Sequence, residues 1–305
     1  MKKKLFKISI IVPTYNRARK IKRCIESVIS QGCDNYELLI IDDGSTDKTS
    51  EIVNNYTKVN KNIVYKRLNK NYGVNIARNH GIDLASGNFI LFLDSDDYLV
   101  KNALEIAYEL ITTFPNYNHY IFPVSYRKGE MKCKTCIVEY EDWLSEKFGG
   151  DFTHVLQTEI LRTYKFFHSE RGSEALNWFR IYREYSPVLF VNKVLINVDR
   201  TSSDSLSSLK SKIFKEKNSI VFNEYSKLVN IYEKDIRKYN TTYIVNKTIF
   251  YGLAVENFRA NKNIISKFDF EELLYSLLKF QNKLRISFIA KLILRLNEMK
   301  NRILK

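Results

Sequence analysis

The first hundred residues alternate short, almost unbroken apolar runs with segments in which apolar positions recur every three to four residues. The runs at 8–12, 37–41, 63–66 and 88–93 predict strands, and the segments 17–31, 46–56 and 74–85 predict helices. Gly32 and Gly87 stand at or just past helix ends, where a left-handed residue is commonly required. Strands that are apolar on both faces, with helices between them, predict an α/β fold on a mostly parallel sheet covered on both sides. Ligands bind such sheets beyond the carboxyl ends of the strands, so the residues following each strand are where chemistry is sought.

From about residue 121 to 206 the pattern loosens into short strands, loops and brief helices, with Trp143 and Trp178 inside that stretch. Strand-like runs return at 188–191 and 194–198. Beyond 205 the chain turns helical and rich in Lys, Asn, Ile and Leu, without Pro and with one glycine, Gly252. The expected division is a domain at 1–207, made of halves 1–110 and 111–207, followed by a helical extension at 208–305.

Composition narrows the class. With 45% apolar and 27% charged residues among 305, four prolines and ten glycines, the chain is neither disordered nor collagen-like. Nothing approaches 18 consecutive apolar residues, so no membrane-spanning helix is expected. The basic start and apolar run to Val12 imitate a signal peptide, but Lys7 interrupts the run and a strand is the expected reading. Four cysteines (Cys24, Cys33, Cys133, Cys136) do not suggest a disulfide scaffold, which places the chain in a reducing, cytoplasmic compartment. The net charge of +15 divides as +4 over 1–110, zero over 111–204 and +11 over 205–305. A basic last third suggests an anionic partner such as a membrane surface or lipid phosphate, although a lysine-rich composition accounts for it equally.

Three strands run into polar clusters: Pro13-Thr14-Tyr15-Asn16-Arg17, Asp42-Asp43-Gly44-Ser45-Thr46-Asp47 and Asp94-Ser95-Asp96-Asp97. Parallel neighbours would gather at least five carboxylates into one cleft, where they repel unless a cation sits among them. Asp94 and Asp96, two residues apart, can face one side and hold a hard divalent cation, which points to a diphosphate ligand. The alternative is that Ser95, Asp96 or Asp97 caps a helix beginning near Leu99. Asp47 suits a helix cap, while Asp42 and Asp43 exceed what a turn needs. A carboxylate there can accept from a base imino group, with Tyr15 offering a stacking face.

Together with Gly73 and Ala77-Arg78-Asn79-His80-Gly81-Ile82, these segments closely resemble the family 2 glycosyltransferases of the GT-A fold. Each motif is weak alone, and four in order at this spacing are specific. The resemblance covers about residues 6–207. It implies an inverting enzyme that uses a nucleotide-sugar, usually a UDP-sugar, with Mn2+ or Mg2+, and a glycan or lipid-linked acceptor. By motif, Asp43 would bind the base, Tyr15 would stack on it with Pro13, Thr14 and Asp42 nearby, and Asp96 would be the metal ligand. Asp94 would lie beside the ribose or sugar and the metal. Arg78 would lie near the nucleotide or donor sugar, unless it is a helix-surface cation neutralising the acidic edge.

Inverting transfer needs a base for the acceptor hydroxyl. In this family it is an aspartate of a Glu-Asp pair opening a helix; here Ser173-Glu174 holds that place, which is a departure. Glu174 is the expected base and Glu170 its rival. The departure also keeps open a module that binds nucleotide-sugar or glycan without catalysis. The segment from Arg200 to Ser205 resembles the family's closing segment, which makes both residues candidates for donor contact, while the family's histidine there is missing.

Cys133-x-x-Cys136 lacks the second pair of a zinc site and reads as two ordinary thiols. Trp178, one turn after Glu174, is expected either against a sugar ring or in the core. His154 and His168 have no metal-ligand spacing. Phe288, Ile289, Leu292, Ile293, Leu296, Met299 and Ile303 form a helical apolar stripe among basic residues, suited to an anionic membrane surface, to the chain's own domain or to a second copy in a homodimer. The acidic cleft argues against nucleic acid.

Overall fold

The structure is a computed structural model; it describes residues 6–127, 133–145, 147–148, 151–167, 174–199 and 211–239, and the single positions 245 and 248. The stripe at 288–303, Arg200, Ser205, His168 and Glu170 lie outside the described residues.

In chain order the elements are β1 (Ile8–Thr14), α1 (Ile21–Ile29), β2 (Tyr36–Asp42), α2 (Thr49–Thr57), β3 (Ile63–Arg67), α3 (Val74–Leu84), β4 (Phe89–Phe92), β5 (Tyr98–Leu99) and α4 (Ala103–Thr113). They continue with β6 (His119–Pro123), β7 (Thr135–Val138), α5 (Tyr140–Leu144), β8 (Phe152–Gln157), α6 (Thr158–Thr163), α7 (Glu174–Tyr185), β9 (Val188–Val191), β10 (Ile196–Asn197) and α8 (Ser211–Lys238). The chain divides into two compact units, Met1–Tyr140 with Gly149–Ser205, and Glu141–Phe148 with Leu206–Lys305. In the second unit Trp143 and Phe148 pack their rings 6.2 Å apart, Lys147 pairs with Asp142, and α8 buries Phe222, Leu228, Val229 and Ile236.

The eight-stranded sheet of the first unit has the order β3-β2-β1-β4-β8-β6-β9-β7, and β10 pairs with β5 beside it. Four of its seven pairings are parallel and three antiparallel. Alternation along the strands divides the core. Ile8, Ile10, Leu38 and Ile40 pack with α1 and α4, while Ile11, Leu39 and Ile41 pack with α3, α6 and part of α7. After β3 the chain returns through α3 to the far side of β1, so the topology reverses between β1 and β4, where ligands bind. Pro13 is tolerated in this central strand. Ile11 C=O accepts Leu93 N–H (3.0 Å), so Pro13, two residues on, turns its missing N–H toward β4 beyond the end of its pairing at Phe92.

Four expectations change. Helix α1 starts at Ile21 rather than residue 17, because Arg17 and its neighbours form the turn after β1. No helix begins near Leu99: Tyr98–Leu99 pairs with β10, and α4 starts at Ala103 behind Asn102, so the acids at 94–97 cap nothing. Gly32 is left-handed (φ 66°), but Gly87 is required for close approach, since a Cβ there would stand 2.6 Å from Ser9 Oγ. Cys133 and Cys136 are joined as a disulfide, their Cα atoms 6.2 Å apart, rather than being two ordinary thiols; Cys24 and Cys33 are free.

Candidate active site

Strands β2, β1 and β4 run parallel side by side, so their following turns emerge at one edge of the sheet. Asn16, at φ 52°, stitches the first two turns together: its N–H donates to Ser45 Oγ (2.9 Å) and its Oδ1 accepts Thr46 N–H (2.8 Å). Thr14 is buried, and its hydroxyl has no hydrogen-bond partner among the described residues, while Tyr15 next to it is exposed.

The acids after β2 are spent locally. Asp42 is fully buried, accepting Ser45 N–H (2.7 Å) and the Tyr65 hydroxyl (2.5 Å). Asp43 accepts Tyr72 N–H (2.8 Å) and Gly73 N–H (2.7 Å), which pins the loop before α3. Gly44 allows that loop to close over the turn: it has φ 79°, and a Cβ there would stand 2.7 Å from the Lys70 carbonyl carbon. Asp47 accepts Ala18 N–H and Thr49 N–H, both at 3.0 Å. The expectation of five carboxylates sharing one cleft is therefore corrected. The three after β2 satisfy backbone donors that would otherwise be orphaned.

The turn after β4 differs. Burial alternates along it, with Ser95 and Asp97 inward and Asp94 and Asp96 outward. Asp97 accepts Asp199 N–H (2.8 Å), and burial, followed by the charges of Asp94, Asp96 and Asp199, pushes its carboxyl up to about 7. Cations from the turn after β1 and the first turn of α1 compensate this edge. Arg17 Nε lies 4.0 Å from Asp96, Arg23 donates to the Asp96 carbonyl (2.8 Å) and to Asp199 (2.6 Å), and Lys20 pairs with Asp199 (3.2 Å). Side chains thus supply the positive charge that the cluster was expected to draw from a metal alone. Among the described residues no group of three or more Asp, Glu, His or Cys is arranged to hold a metal. The donor set at Asp94 and Asp96, two outward carboxylates free of backbone donors, suits a hard cation completed by substrate phosphate.

Arg78, on α3, is buried rather than a surface cation. It donates to Glu174 Oε1 (2.5 Å), the first residue of α7, and to Asp94 Oδ1 (3.3 Å). Its guanidinium lies 5.8 Å from the Phe92 ring and 5.5 Å from Phe166, and the two carboxylates hold it protonated against burial. Glu174 Oε2 has no hydrogen-bond partner among the described residues, and half of the side chain is open to solvent. Trp178 takes the core alternative: His154 covers one face of its ring (centroids 3.8 Å, planes 9° apart) and Phe166 meets it edge-on (5.7 Å, 86°). His154 Nδ1 is 2.9 Å from His119 Nε2; burial drives both imidazoles down, His119 to about 3, so both are neutral at pH 7.

The structure brings together Thr14, Tyr15, Asp43, Asp94, Asp96, Arg78 and Glu174 in one unit. Sequence reasoning gave no role to Asn16 or to the cations around the start of α1, weighed His154 only as a metal ligand, and did not single out Asp199, Phe166 or His119. The run Arg17-x-Arg19-Lys20-x-Lys22-Arg23 directly after an apolar strand was the available signal for the cations.

The family profile of Glycosyl transferase family 2 matches residues 9–153. The chain is 31% identical over 244 residues to the GalNAc(5)-diNAcBac-PP-undecaprenol beta-1,3-glucosyltransferase of Campylobacter jejuni, a match covering 76% of this chain and 75% of that protein. It is 41% identical over 101 residues to the poly(ribitol-phosphate) beta-glucosyltransferase of Bacillus spizizenii, covering 32% of this chain and 16% of that one. Among solved structures, S. aureus TarS 1–349 in complex with UDP-GlcNAc has a TM-score of 0.60 at 20% identity, covering 87% of this chain and 82% of that one. The mannosyltransferase PcManGT of Pyrobaculum calidifontis, in complex with GDP-Man and Mn2+, has a TM-score of 0.59 at 14% identity, covering 93% and 82%. At these identities the structural likenesses show the fold, the GT-A arrangement expected.

Proposed function

The chain belongs to glycosyl transferase family 2 and is a glycosyltransferase; from that premise we propose a metal-dependent, inverting transfer from a UDP-sugar to a hydroxyl of a glycan or lipid-linked glycan. One observation carries the reading. A single buried guanidinium, Arg78, links the first acid of the Asp94-x-Asp96 pair to the acid that opens α7. The leaving group and the attacking hydroxyl must flank one anomeric carbon, and this link keeps their two partners within one residue's reach.

Glu174 is the base. Arg78 orients its Oε1, and Oε2 takes the acceptor's proton as the hydroxyl oxygen bonds to the anomeric carbon and the bond to the diphosphate breaks. A manganese or magnesium ion held by Asp94 and Asp96 would stabilise charge on the departing diphosphate. Tyr15 stacks on the base, and Asp43, whose oxygens each keep one lone pair after binding the Tyr72 and Gly73 amides, accepts from the imino group. The undecaprenol-linked substrate in the name of the Campylobacter jejuni relative, and the UDP-GlcNAc and Mn2+ of the two structural neighbours, support the donor, metal and acceptor classes. Among the described residues no helix is long and apolar enough to cross a membrane. We place the meeting with a lipid-linked acceptor at the cytoplasmic membrane surface, to which the net charge of +11 over residues 205–305 would attract the protein.

The test is a thermal-shift screen of nucleotide-sugars with and without Mn2+, followed by transfer with the donor it selects. One UDP-sugar should stabilise the protein only with metal, and Glu174→Gln should keep that shift while turnover falls roughly 100-fold. Equal stabilisation in chelator removes the metal from the reading. Full turnover by Glu174→Gln moves the base, with Glu170 next.

A further inference from the structure

Glu174, Trp178 and Tyr182 follow one another at four-residue spacing and so share one face of α7. That face rests on two histidines from neighbouring antiparallel strands, His154 on β8 and His119 on β6. His154 lies under Trp178, and His119 lies under Tyr182, with ring centroids 5.7 Å apart and planes at 14°. The two imidazoles are themselves bonded, Nε2 to Nδ1, at 2.9 Å. We propose that His119 and His154 are positioning residues for the transfer, a bonded pair that sets α7 at the depth where Glu174 meets Arg78. The proposal rests on Glu174 being the base.

Two apolar side chains would fill the same space, and burying imidazoles costs free energy that such residues avoid. What the pair adds is definition. A hydrogen bond fixes the rotation of both rings, and the flat rings then fix where Trp178 and Tyr182 lie along the sheet. The bond also fixes the protons. His119 Nδ1 is buried with no partner among the described residues, and an orphaned acceptor is cheaper than an orphaned N–H, so the shared proton sits on His119 Nε2 and His154 Nδ1 accepts it. The same stack supports the other half of the ion pair, because Phe166 touches both Trp178 (5.7 Å) and Arg78 (5.5 Å). A cationic ring in the pair would stand against the Arg78 charge, and burial keeps both rings neutral.

The experiment compares His154→Phe, which keeps a ring beneath Trp178 but breaks the bond to His119, with Trp178→Ala, which removes the stack, and Trp178→Phe, which restores a ring. Donor affinity should stay within about twofold throughout. Turnover should fall roughly 10- to 100-fold in the first two variants, the cost of a misplacement of about 1 Å, and return toward wild type in the third. Imidazole nitrogen spectra of the wild-type protein at pH 7 should show two neutral rings sharing one proton. These spectra decide alone should His154→Phe fail to fold. Wild-type turnover in His154→Phe, a loss confined to donor affinity, or a charged or unlinked histidine overturns the proposal. Glu174→Gln separates the two failures: if it turns over at the wild-type rate the premise falls, and if it is inactive while His154→Phe is not, only the positioning role falls.

Discussion

The turns after β2 and β4 look alike in sequence, Asp42-Asp43 and Asp94-x-Asp96, each closing an apolar strand. Their environments are opposite. After β2 every carboxylate faces backbone or hydroxyl donors and is largely consumed by them. After β4 the outward acids meet cationic side chains from the turn after β1 and from α3 and keep most of their acceptor capacity. Acid density alone therefore does not mark a cation site. Under the proposed reading, what would mark one is the supply of competing N–H donors: a turn with orphaned amides draws its acids inward, and one without them leaves its outward acids for a ligand.

The sharpest way to break this contrast is Asp96→Asn. If the β4 turn is the metal-binding side, transfer should fall about 1000-fold, near 4 kcal/mol of transition-state stabilisation, with the melting curve unchanged. Asp42→Ala should do the reverse. It strands the buried Ser45 amide and Tyr65 hydroxyl, so urea unfolding should register a loss of about 2–3 kcal/mol. A variant of Asp42 that is stable but inactive would put that acid in the site after all.

Asp43→Ala lies between these cases. Freeing the Tyr72 and Gly73 amides should raise their hydrogen-exchange rates and weaken UDP binding by about 1–2 kcal/mol; unchanged UDP affinity in a titration would leave Asp43 a purely structural anchor. The smallest effect distinguishes the two turns by salt. Arg23→Ala removes one cation paired with Asp199, which should cost about 0.5 kcal/mol at low ionic strength and vanish near 1 M salt, where the Debye length is about 3 Å. The Asp42 loss should persist at both concentrations, because it comes from hydrogen bonds in the interior.

The sequence by itself determined most of the strand and helix succession of the first hundred residues, the mostly parallel sheet, the family, and the facing of Asp94 and Asp96 to one side. These follow from alternation and turn chemistry acting over a few residues, so nearby identities suffice to read them. Only the tertiary structure decided which acids are spent: Asp42 meets Tyr65 and Asp43 meets Tyr72 across segments separated by 23 and 29 positions. It alone brought Arg78 onto Glu174, 96 positions away, and His154 beneath Trp178. The physical reason is that a side chain's direction is set by its own backbone period, whereas its partner is set by whichever elements the packed sheet and helices bring against it. A carboxylate or imidazole has the same letters whether it meets an amide, a guanidinium or solvent.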